Sequence, residues 1–374
     1  MNNIPPVDLK RQYQSIKEEL EGAVLSVLSS GRYIGGTIVT EFEQEFANYT
    51  GVAQCVSCNS GTDALYLALR ALNIGRGDEV ITTPFSFVAT AEVISRVGAT
   101  PVFVDIEPTT FNLDANKIEA AITEKTKAVI PVHLFGQSTA MTQLMAIARQ
   151  YNLFVIEDCA QATGAQWGED KVGSIGDIGC FSFFPTKNLG SCGDGGAVTT
   201  NSSAIADKIR MLREHGSKTR YRHEAIGLNS RLDTLQAAIL QVKLPYLDLW
   251  NQQRRQVASI YDRLLTGLPH ITIPQELAGG QGVWNQYTVR IASQHQELDS
   301  YRDHVRNRLQ EKGISSMVYY PLPLHLQPVY QDNHQVGELP LAEKATQEVL
   351  SLPMFPDLSF EEQQQVVYGL KESL

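Results

Sequence analysis

One lysine has an unusual setting in the stretch FSFFPTKNLGSCGDGG, which spans residues 181–196. Lys187 follows an aromatic run and precedes a series of glycines. Most lysines lie on exposed loops, but an amine in such surroundings can lose solvation. Loss of solvation lowers the pKa of the amine and makes it nucleophilic. Lys187 is therefore the first candidate for a catalytic residue.

A carboxylate ends another apolar stretch, FVIED, at Asp158. A buried carboxylate is costly unless it is paired or hydrogen-bonded. Asp158 is either a structural group that caps a loop or the partner of a cation or a protonated ring nitrogen. This stretch alone leaves both interpretations open.

The segment NSGTDALYLALRAL, which begins at Asn59, predicts a turn that leads into a helix. Ser60 precedes Asp63 by three residues, which is the spacing of a helix N-cap. The alternative is a phosphate site, because free N–H groups and the helix dipole attract an anion and Gly61 permits its close approach.

Two aromatic residues, Phe85 and Phe87, follow the strand-like run DEVITT. Aromatic residues at this spacing either belong to the core or form a platform for a flat ring. A nucleophilic lysine, an acidic strand end, a helix start suited to phosphate and an aromatic platform are together the groups that hold pyridoxal 5′-phosphate (PLP). Each group is weak evidence alone, but their conjunction predicts a PLP site.

The elements that must position these groups follow from an alternation of strand-like and helical patterns, which predicts an α/β fold with a mostly parallel sheet. Ligands of such sheets bind beyond the carboxyl ends of the strands. After residue 200 long helical patterns lead into a smaller α+β region. We expect a large domain over residues 1–245 and a small C-terminal domain over 246–374.

The charge and composition of the chain argue against several classes of function. The 374 residues carry a formal net charge of -10 without a Lys/Arg cluster, which argues against nucleic-acid binding. No apolar run approaches about 18 residues, and the start of the chain lacks the apolar stretch of a signal peptide. No membrane association is therefore expected. Five cysteines in a chain of this length indicate reduced thiols, so a cytoplasmic location is expected. Cys55 and Cys58 have metal or redox spacing, but in a strand their sulfurs would point to opposite faces, so no metal site is expected.

Over nearly its whole length the chain resembles the DegT/DnrJ/EryC1/StrS family of PLP-dependent sugar aminotransferases. The resemblance rests on NSGTDAL, DEVITTPFSFVATA, VIEDCAQATGA, FSFFPTKNLG and GLNSRLDTLQAAIL, in that order. It implies the aspartate-aminotransferase architecture (PLP fold type I), with a mixed, mostly parallel sheet in the large domain.

The resemblance also implies a role for each matching residue. Lys187 would carry PLP as a Schiff base and Asp158 would pair with the pyridinium nitrogen, so both would be catalytic. The other residues implied at the cofactor are Gln161 near the phenolic oxygen, Phe87 against the ring, Gly61, Thr62 and Ser182 at the phosphate, and Asn229 at the phosphate of the neighbouring subunit. Those implied near the sugar are Arg231, Tyr319 and Tyr320. The active unit would be a homodimer with shared active sites.

The reaction that the resemblance implies is transfer of an amino group from L-glutamate to a keto sugar nucleotide through pyridoxamine phosphate. NSRLDTLQAAIL is most similar to members that act at C3, on UDP-2-acetamido-3-oxo-glucuronate or dTDP-3-oxo-6-deoxyhexoses, in amino-sugar biosynthesis. Those members commonly have histidine at the position of Tyr319, which leaves the exact sugar open. The alternatives are amination at C4 of a 4-oxo-6-deoxy sugar and a non-catalytic regulator that keeps the fold. Sugar dehydratases of similar sequence have histidine at the lysine position, so Lys187 argues against that activity.

Overall fold

The structure is a computed structural model, and it describes residues 3–292 and 301–374. Its α-helices are α1 (Leu9–Ser15), α2 (Lys17–Ser30), α3 (Thr37–Thr50), α4 (Gly61–Ala71), α5 (Ala89–Arg96), α6 (Ala115–Ile118), α7 (Met141–Tyr151), α8 (Ser203–Arg213), α9 (Thr234–Lys243), α10 (Leu247–Leu265), α11 (Tyr301–Glu311), α12 (Pro340–Glu348) and α13 (Phe360–Lys371). Its strands are β1 (Gln54–Cys58), β2 (Glu79–Thr82), β3 (Thr100–Phe103), β4 (Thr126–Ile130), β5 (Phe154–Asp158), β6 (Gln166–Trp167), β7 (Asp170–Lys171), β8 (Ile178–Ser182), β9 (Gly196–Thr200), β10 (Ser217–Thr219), β11 (Arg222–His223), β12 (Ile271–Thr272), β13 (Gly280–Gln281), β14 (Tyr287–Ile291) and β15 (Val349–Leu352).

A seven-stranded sheet forms the centre of the molecule, with the strand order β1-β9-β8-β5-β4-β2-β3. The pairs from β8 through β5, β4 and β2 to β3 are parallel. β9 runs antiparallel to both β8 and β1. Helical crossovers between successive strands produce this parallel pairing, so the predicted mixed, mostly parallel sheet is confirmed.

The carboxyl ends of the parallel strands meet at one edge of the sheet. There β5 ends at Asp158 and β8 ends at Ser182. β9 begins at the same edge, where Gly196 pairs with both Ser182 and Cys58. The segments that follow β1, β2, β5 and β8 therefore converge at this edge, which is where the sequence predicts the site.

Helices cover the sheet on both faces, as its continuously apolar strands require. Side chains of α4 and α8 pack on one face and side chains of α3 and α9 on the other. The two cysteines of the CVSC stretch illustrate this division. Cys55 packs in the same cluster as Phe46, whereas Cys58 packs with Leu65 in the cluster on the other face. The strand interpretation of CVSC is thus correct.

The C-terminal part has its own apolar core beside an antiparallel sheet of order β12-β14-β15. Ile4 packs in this core and its amide donates to the carbonyl of Gly313. The predicted boundary at residue 245 falls in a short 3₁₀ turn, Leu244–Tyr246, that links α9 to α10. The division into residues 1–245 and 246–374 stays a prediction, and its residues 1–2 and 293–300 lie outside the described ones. Within the described ranges, no helix is both long and apolar enough to span a bilayer.

Candidate active site

The first turn of α4 lies directly beyond the end of β1. The hydroxyl of Ser60 accepts a hydrogen bond from the amide of Asp63 at 3.1 Å, so the predicted N-cap is present. The amides of Gly61 and Thr62 have no hydrogen-bond acceptor among the residues that the structure describes. Two free amides and the positive end of the helix dipole are together a suitable place for an anion. The N-cap and the phosphate site are therefore compatible rather than exclusive.

Two glycines allow close packing at this turn. A Cβ on Gly61 would lie 2.7 Å from Cβ of Ser182, and a Cβ on Gly196 would overlap the carbonyl of Ser60. Neither position can hold a larger residue without displacement of the chain. As a result, Ser182 at the end of β8 is held beside the free amides of α4.

Asp158 lies in the middle of the carboxyl edge, and its side chain is only 5% exposed. One of its carboxylate oxygens accepts from the hydroxyl of Thr90 at 2.9 Å and the other from the amide of Ala160 at 3.1 Å. Burial raises the pKa of Asp158, while these hydrogen bonds and the positive charge of Lys187 oppose the rise. One oxygen thus caps its own loop, and the side chain also faces the cavity described below.

Thr90 is a residue that the sequence analysis missed. Its hydroxyl lies 3.0 Å from that of Ser86, so a short chain of hydroxyls ends on Asp158. Thr90 lies in the first turn of α5, and its amide donates to the carbonyl of Phe87 at 3.2 Å. No spacing in the sequence marks Thr90, because its hydrogen bond to Asp158 joins residues 68 positions apart.

Lys187 lies in the loop between β8 and β9, where its amide donates to the carbonyl of Phe184 at 2.9 Å. Burial lowers the pKa of Lys187 from 10.5 to about 8, and the negative charge of Asp158 offsets part of this lowering. Near neutral pH the amine is therefore unprotonated far more often than that of an ordinary lysine. This is the property that the sequence context predicts for Lys187.

The two aromatic residues after β2 have different surroundings. Phe85 is fully buried and packs against Phe111, Phe135 and Tyr320. Phe87 is 58% exposed and lines the cavity. The core interpretation therefore holds for Phe85, and Phe87 is free to cover a flat ring.

Gln161 connects two distant segments at the site. Its carbonyl oxygen accepts from the amide of Phe135 at 2.6 Å, and its amide nitrogen donates to the hydroxyl of Tyr320 at 3.1 Å. Burial raises the pKa of Tyr320, so its phenol stays protonated at physiological pH. Gln161 thus orients a phenolic hydroxyl that reaches the site from the C-terminal part of the chain.

One cavity of about 440 Å³ brings most of the predicted residues together. The predicted residues that line it are Gly61, Thr62, Phe87, Asp158, Gln161, Ser182, Lys187, Tyr319 and Tyr320. It is also lined by Asp194 and Gln286, which the sequence analysis did not select. The side-chain oxygen of Gln286 is buried and has no hydrogen-bond partner within the described part of the chain. No local pattern marks Gln286, because it reaches the cavity from the segment before β14.

Two predicted residues do not line this cavity. Asn229 is exposed, and its backbone pairs with that of Glu214. Arg231 donates to the carboxylate of Glu214 at 3.3 Å. The roles predicted for Asn229 and Arg231 stay predictions.

A comparison with known protein families identifies the chain. Residues 14–371 match the model of the DegT/DnrJ/EryC1/StrS aminotransferase family. The chain belongs to this family. Among its relatives, the "Pleiotropic regulatory protein" of Geobacillus stearothermophilus is 50% identical over 99% of this chain and 98% of its own length. The UDP-N-acetyl-3-dehydro-alpha-D-glucosamine 3-aminotransferase of Acidithiobacillus ferrooxidans is 45% identical over 99% and 98% of the two chains.

Two solved structures have the same fold as this chain. DesV of S. venezuelae, in complex with a ketimine intermediate, matches with a TM-score of 0.95 and 41% identity over 100% of this chain and 98% of its own. NtdA of Bacillus subtilis, with bound pyridoxamine phosphate, matches with a TM-score of 0.89 and 34% identity over 96% and 82% of the two chains. The predicted family, fold type and aminotransferase class are confirmed, whereas the roles of single residues stay predictions.

Proposed function

We propose that this aminotransferase moves an amino group from L-glutamate to C3 of a keto sugar nucleotide, with PLP as its cofactor. The observation that carries the proposal is that Lys187 and Asp158 line one cavity beside the free amides of α4. The name of the Acidithiobacillus relative supports amination at C3. L-Glutamate is the donor that the family resemblance implies.

The residues of the cavity fit PLP on chemical grounds. Lys187 offers an amine of lowered pKa for covalent attachment. Asp158 offers a buried carboxylate as the partner of a protonated ring nitrogen. The free amides of Gly61 and Thr62 suit a phosphate, and Phe87 presents its exposed ring to a flat ligand.

Bound PLP supplies an electron sink that stabilises a carbanion next to the amino nitrogen of the substrate. The chain supplies the proton transfers. Once released from the cofactor, the amine of Lys187 would take the proton from Cα of the amino donor and deliver it to the cofactor, because its lowered pKa makes it a base near neutral pH. The carboxylate of Asp158 would stabilise positive charge at its side of the cavity. The phenol of Tyr320, held by Gln161, would remain a hydrogen-bond donor to the ligand or to water.

We infer that the active unit is a homodimer in which Asn229 reaches the cavity of the other subunit. Asn229 lies outside the cavity of its own chain. It is near Tyr221 and Ile226 in the sequence, and these side chains are 82% and 83% exposed. Two large apolar side chains exposed on one segment favour a surface that another chain covers.

A cytoplasmic location also belongs to the proposal. All five cysteines are among the described residues, and none of them forms a disulfide. Four of them are buried as thiols. Unpaired thiols are typical of a reducing compartment.

The name of the Geobacillus relative favours a regulatory role as the second candidate. A regulator without catalysis needs no nucleophilic amine, yet here Lys187 lies in the cavity with a lowered pKa. Amination at C4 is a third outcome that the same assay distinguishes.

The deciding experiment tests attachment and transfer in two steps. The full chain is incubated with PLP and reduced with borohydride, and the modified peptide is identified by mass spectrometry. The enzyme is then incubated with L-glutamate and a panel of UDP- and dTDP-linked 3-oxo and 4-oxo sugars, and amine products are detected by mass.

The expected results are PLP on Lys187 and an amine on the 3-oxo sugars. The Lys187→Ala variant should fold but lose turnover by about 10²–10⁴-fold or more. PLP at another lysine, or unchanged turnover in Lys187→Ala, would refute the catalytic assignment. Products only from the 4-oxo sugars would replace C3 by C4, and PLP binding without any product would favour the regulator.

A further inference from the structure

Three buried asparagines meet beside the reactive lysine. Asn188, Asn251 and Asn285 are 2%, 1% and 4% exposed, and we call them the asparagine clamp. Nδ2 of Asn188 donates to Oδ1 of Asn251 at 2.7 Å. Nδ2 of Asn285 donates to Oδ1 of Asn188 at 2.8 Å. The clamp is thus a continuous chain of side-chain amides inside the protein.

The asparagine clamp holds the chain on both sides of Lys187. On the N-terminal side, Nδ2 of Asn285 donates a second hydrogen bond to the carbonyl of Thr186 at 3.2 Å. On the C-terminal side, Nδ2 of Asn188 donates its second hydrogen bond to the carbonyl of Val283 at 2.9 Å. Both residues that flank Lys187 are therefore hydrogen-bonded to residues 283–285, a segment about a hundred residues further along the chain.

That segment is itself fixed to α10. The guanidinium of Arg254 is buried and donates to the carbonyls of Trp284 and Asn285 at 3.2 and 3.4 Å. Asn251, one turn earlier in α10, donates to the carbonyl of Thr163 at 3.0 Å. The asparagine clamp therefore joins the Lys187 loop to α10 of the C-terminal part.

Gly136 also packs closely against residues 283–285. A Cβ on Gly136 would lie 2.8 Å from the backbone nitrogens of both Trp284 and Asn285. The carbonyl of Gly136 also accepts from the amide of Val283 at 2.9 Å. Gly136 and Arg254 thus both contact residues 283–285, which provide a rigid support for the clamp.

The chemistry of the amide group explains why asparagine suits these three positions. Asn188 and Asn251 each donate and accept hydrogen bonds, and Asn285 donates two. None of the three brings a charge next to the amine of Lys187. A buried polar network whose members satisfy one another is rigid. An apolar side chain at position 285 would leave the carbonyl of Thr186 and Oδ1 of Asn188 without this donor, which is costly inside a protein.

We propose that the asparagine clamp fixes the amine of Lys187 inside the cavity, and that Asn285 and Asn251 are positioning residues for it. The proposal rests on the proposed function, because it takes Lys187 as the reactive group. If the clamp is broken, the Lys187 loop loosens and the amine gains access to water. Its pKa then rises from about 8 toward the ordinary 10.5.

The test measures this pKa without cofactor. The full-length, cofactor-free chain is acylated over a range of pH, and the modification of Lys187 is followed by peptide mass spectrometry. The variants are Asn285→Ala and Asn251→Ala. The matched control is Asn112→Ala, because Asn112 is also buried, donates two hydrogen bonds and accepts one, and does not line the cavity.

We expect the pKa of Lys187 to rise by one unit or more in Asn285→Ala, which lowers the reactive fraction at pH 7 about tenfold. The rise should be smaller in Asn251→Ala, which leaves the bond to Thr186 intact. In Asn112→Ala the pKa should stay at the wild-type value, although thermal stability falls. If Asn285→Ala does not fold, Asn251→Ala decides the test.

An unchanged pKa of Lys187 in a folded clamp variant would overturn the proposal, and so would an equal rise in Asn112→Ala. Failure of the proposed function has a different signature. In that case the wild-type chain fails to attach PLP at Lys187, while the acylation profiles of the clamp variants still report on the position of the amine.

Discussion

Thr90→Val removes one hydroxyl from the active site and leaves the shape of the side chain almost unchanged. The hydroxyl of Thr90 donates to a carboxylate oxygen of Asp158 at 2.9 Å. Valine cannot donate, so this oxygen loses a partner while the other keeps the amide of Ala160. The substitution thus isolates the effect of one hydrogen bond on a buried carboxylate.

The magnitude follows from the energy of a charge-assisted hydrogen bond. Such a bond contributes about 1.5–3 kcal/mol, and one pKa unit corresponds to about 1.4 kcal/mol. The hydrogen bond favours the carboxylate, so its loss raises the pKa of Asp158 by about 1–2 units beyond the rise that burial causes. Asp158 then protonates at a higher pH, and activity that needs the carboxylate is lost earlier on acidification.

The assay is the pH dependence of kcat/KM for wild type, Thr90→Val and Thr90→Ser. We expect the acid limb to move up by about 1–2 pH units in Thr90→Val. It should move little in Thr90→Ser, which retains the hydroxyl. An acid limb that coincides with wild type in a correctly folded Thr90→Val enzyme would refute the reasoning, because Thr90 would then not stabilise the carboxylate.

Two further predictions concern stability. Burial lowers the pKa of Lys187 to about 8, so the charged amine destabilises the folded chain below that pH. Lys187→Met should therefore raise the free energy of unfolding of the cofactor-free chain by about 1–3 kcal/mol at pH 7, and urea titrations should show this gain disappear as the pH rises from about 8 to 10.5. Gly61→Ala places a methyl group 2.7 Å from Cβ of Ser182, so it should cost about 1–3 kcal/mol and weaken PLP binding in a spectroscopic titration. Gly22→Ala, whose added Cβ meets nothing within 4 Å, is the control and should be neutral or stabilising; equal losses in both glycine variants would contradict the packing argument.

Several site residues could be found from the sequence because they stand at the ends of elements. Asp158 ends an apolar strand, Gly61 begins a helix, and Lys187 lies between an aromatic strand and a glycine-rich turn. The alternation of strands and helices then places all three at one edge of the sheet. Local pattern and the general geometry of parallel sheets were sufficient for this part of the site.

The local sequence pattern was insufficient to assign a role where residues close in the sequence differ in burial. Phe85 and Phe87 stand in the same short run, yet one is fully buried and the other is 58% exposed. Whether Asp158 caps its loop or faces the cavity also could not be decided from its stretch, and the structure shows that it does both. Exposure depends on what packs above a residue, and that neighbour comes from elsewhere in the chain.

The sequence by itself determined which reactive groups this protein carries, the order of its elements and the edge of the sheet at which those groups meet. Only the tertiary structure decided that Thr90 supports Asp158 and that Asn285 supports the loop of Lys187. The physical reason is the separation of the interacting residues along the chain. A cap, a strand end or a glycine turn arises from interactions among neighbouring residues, whereas hydrogen bonds between residues 68 or 99 positions apart exist only after the helices and the sheet have packed.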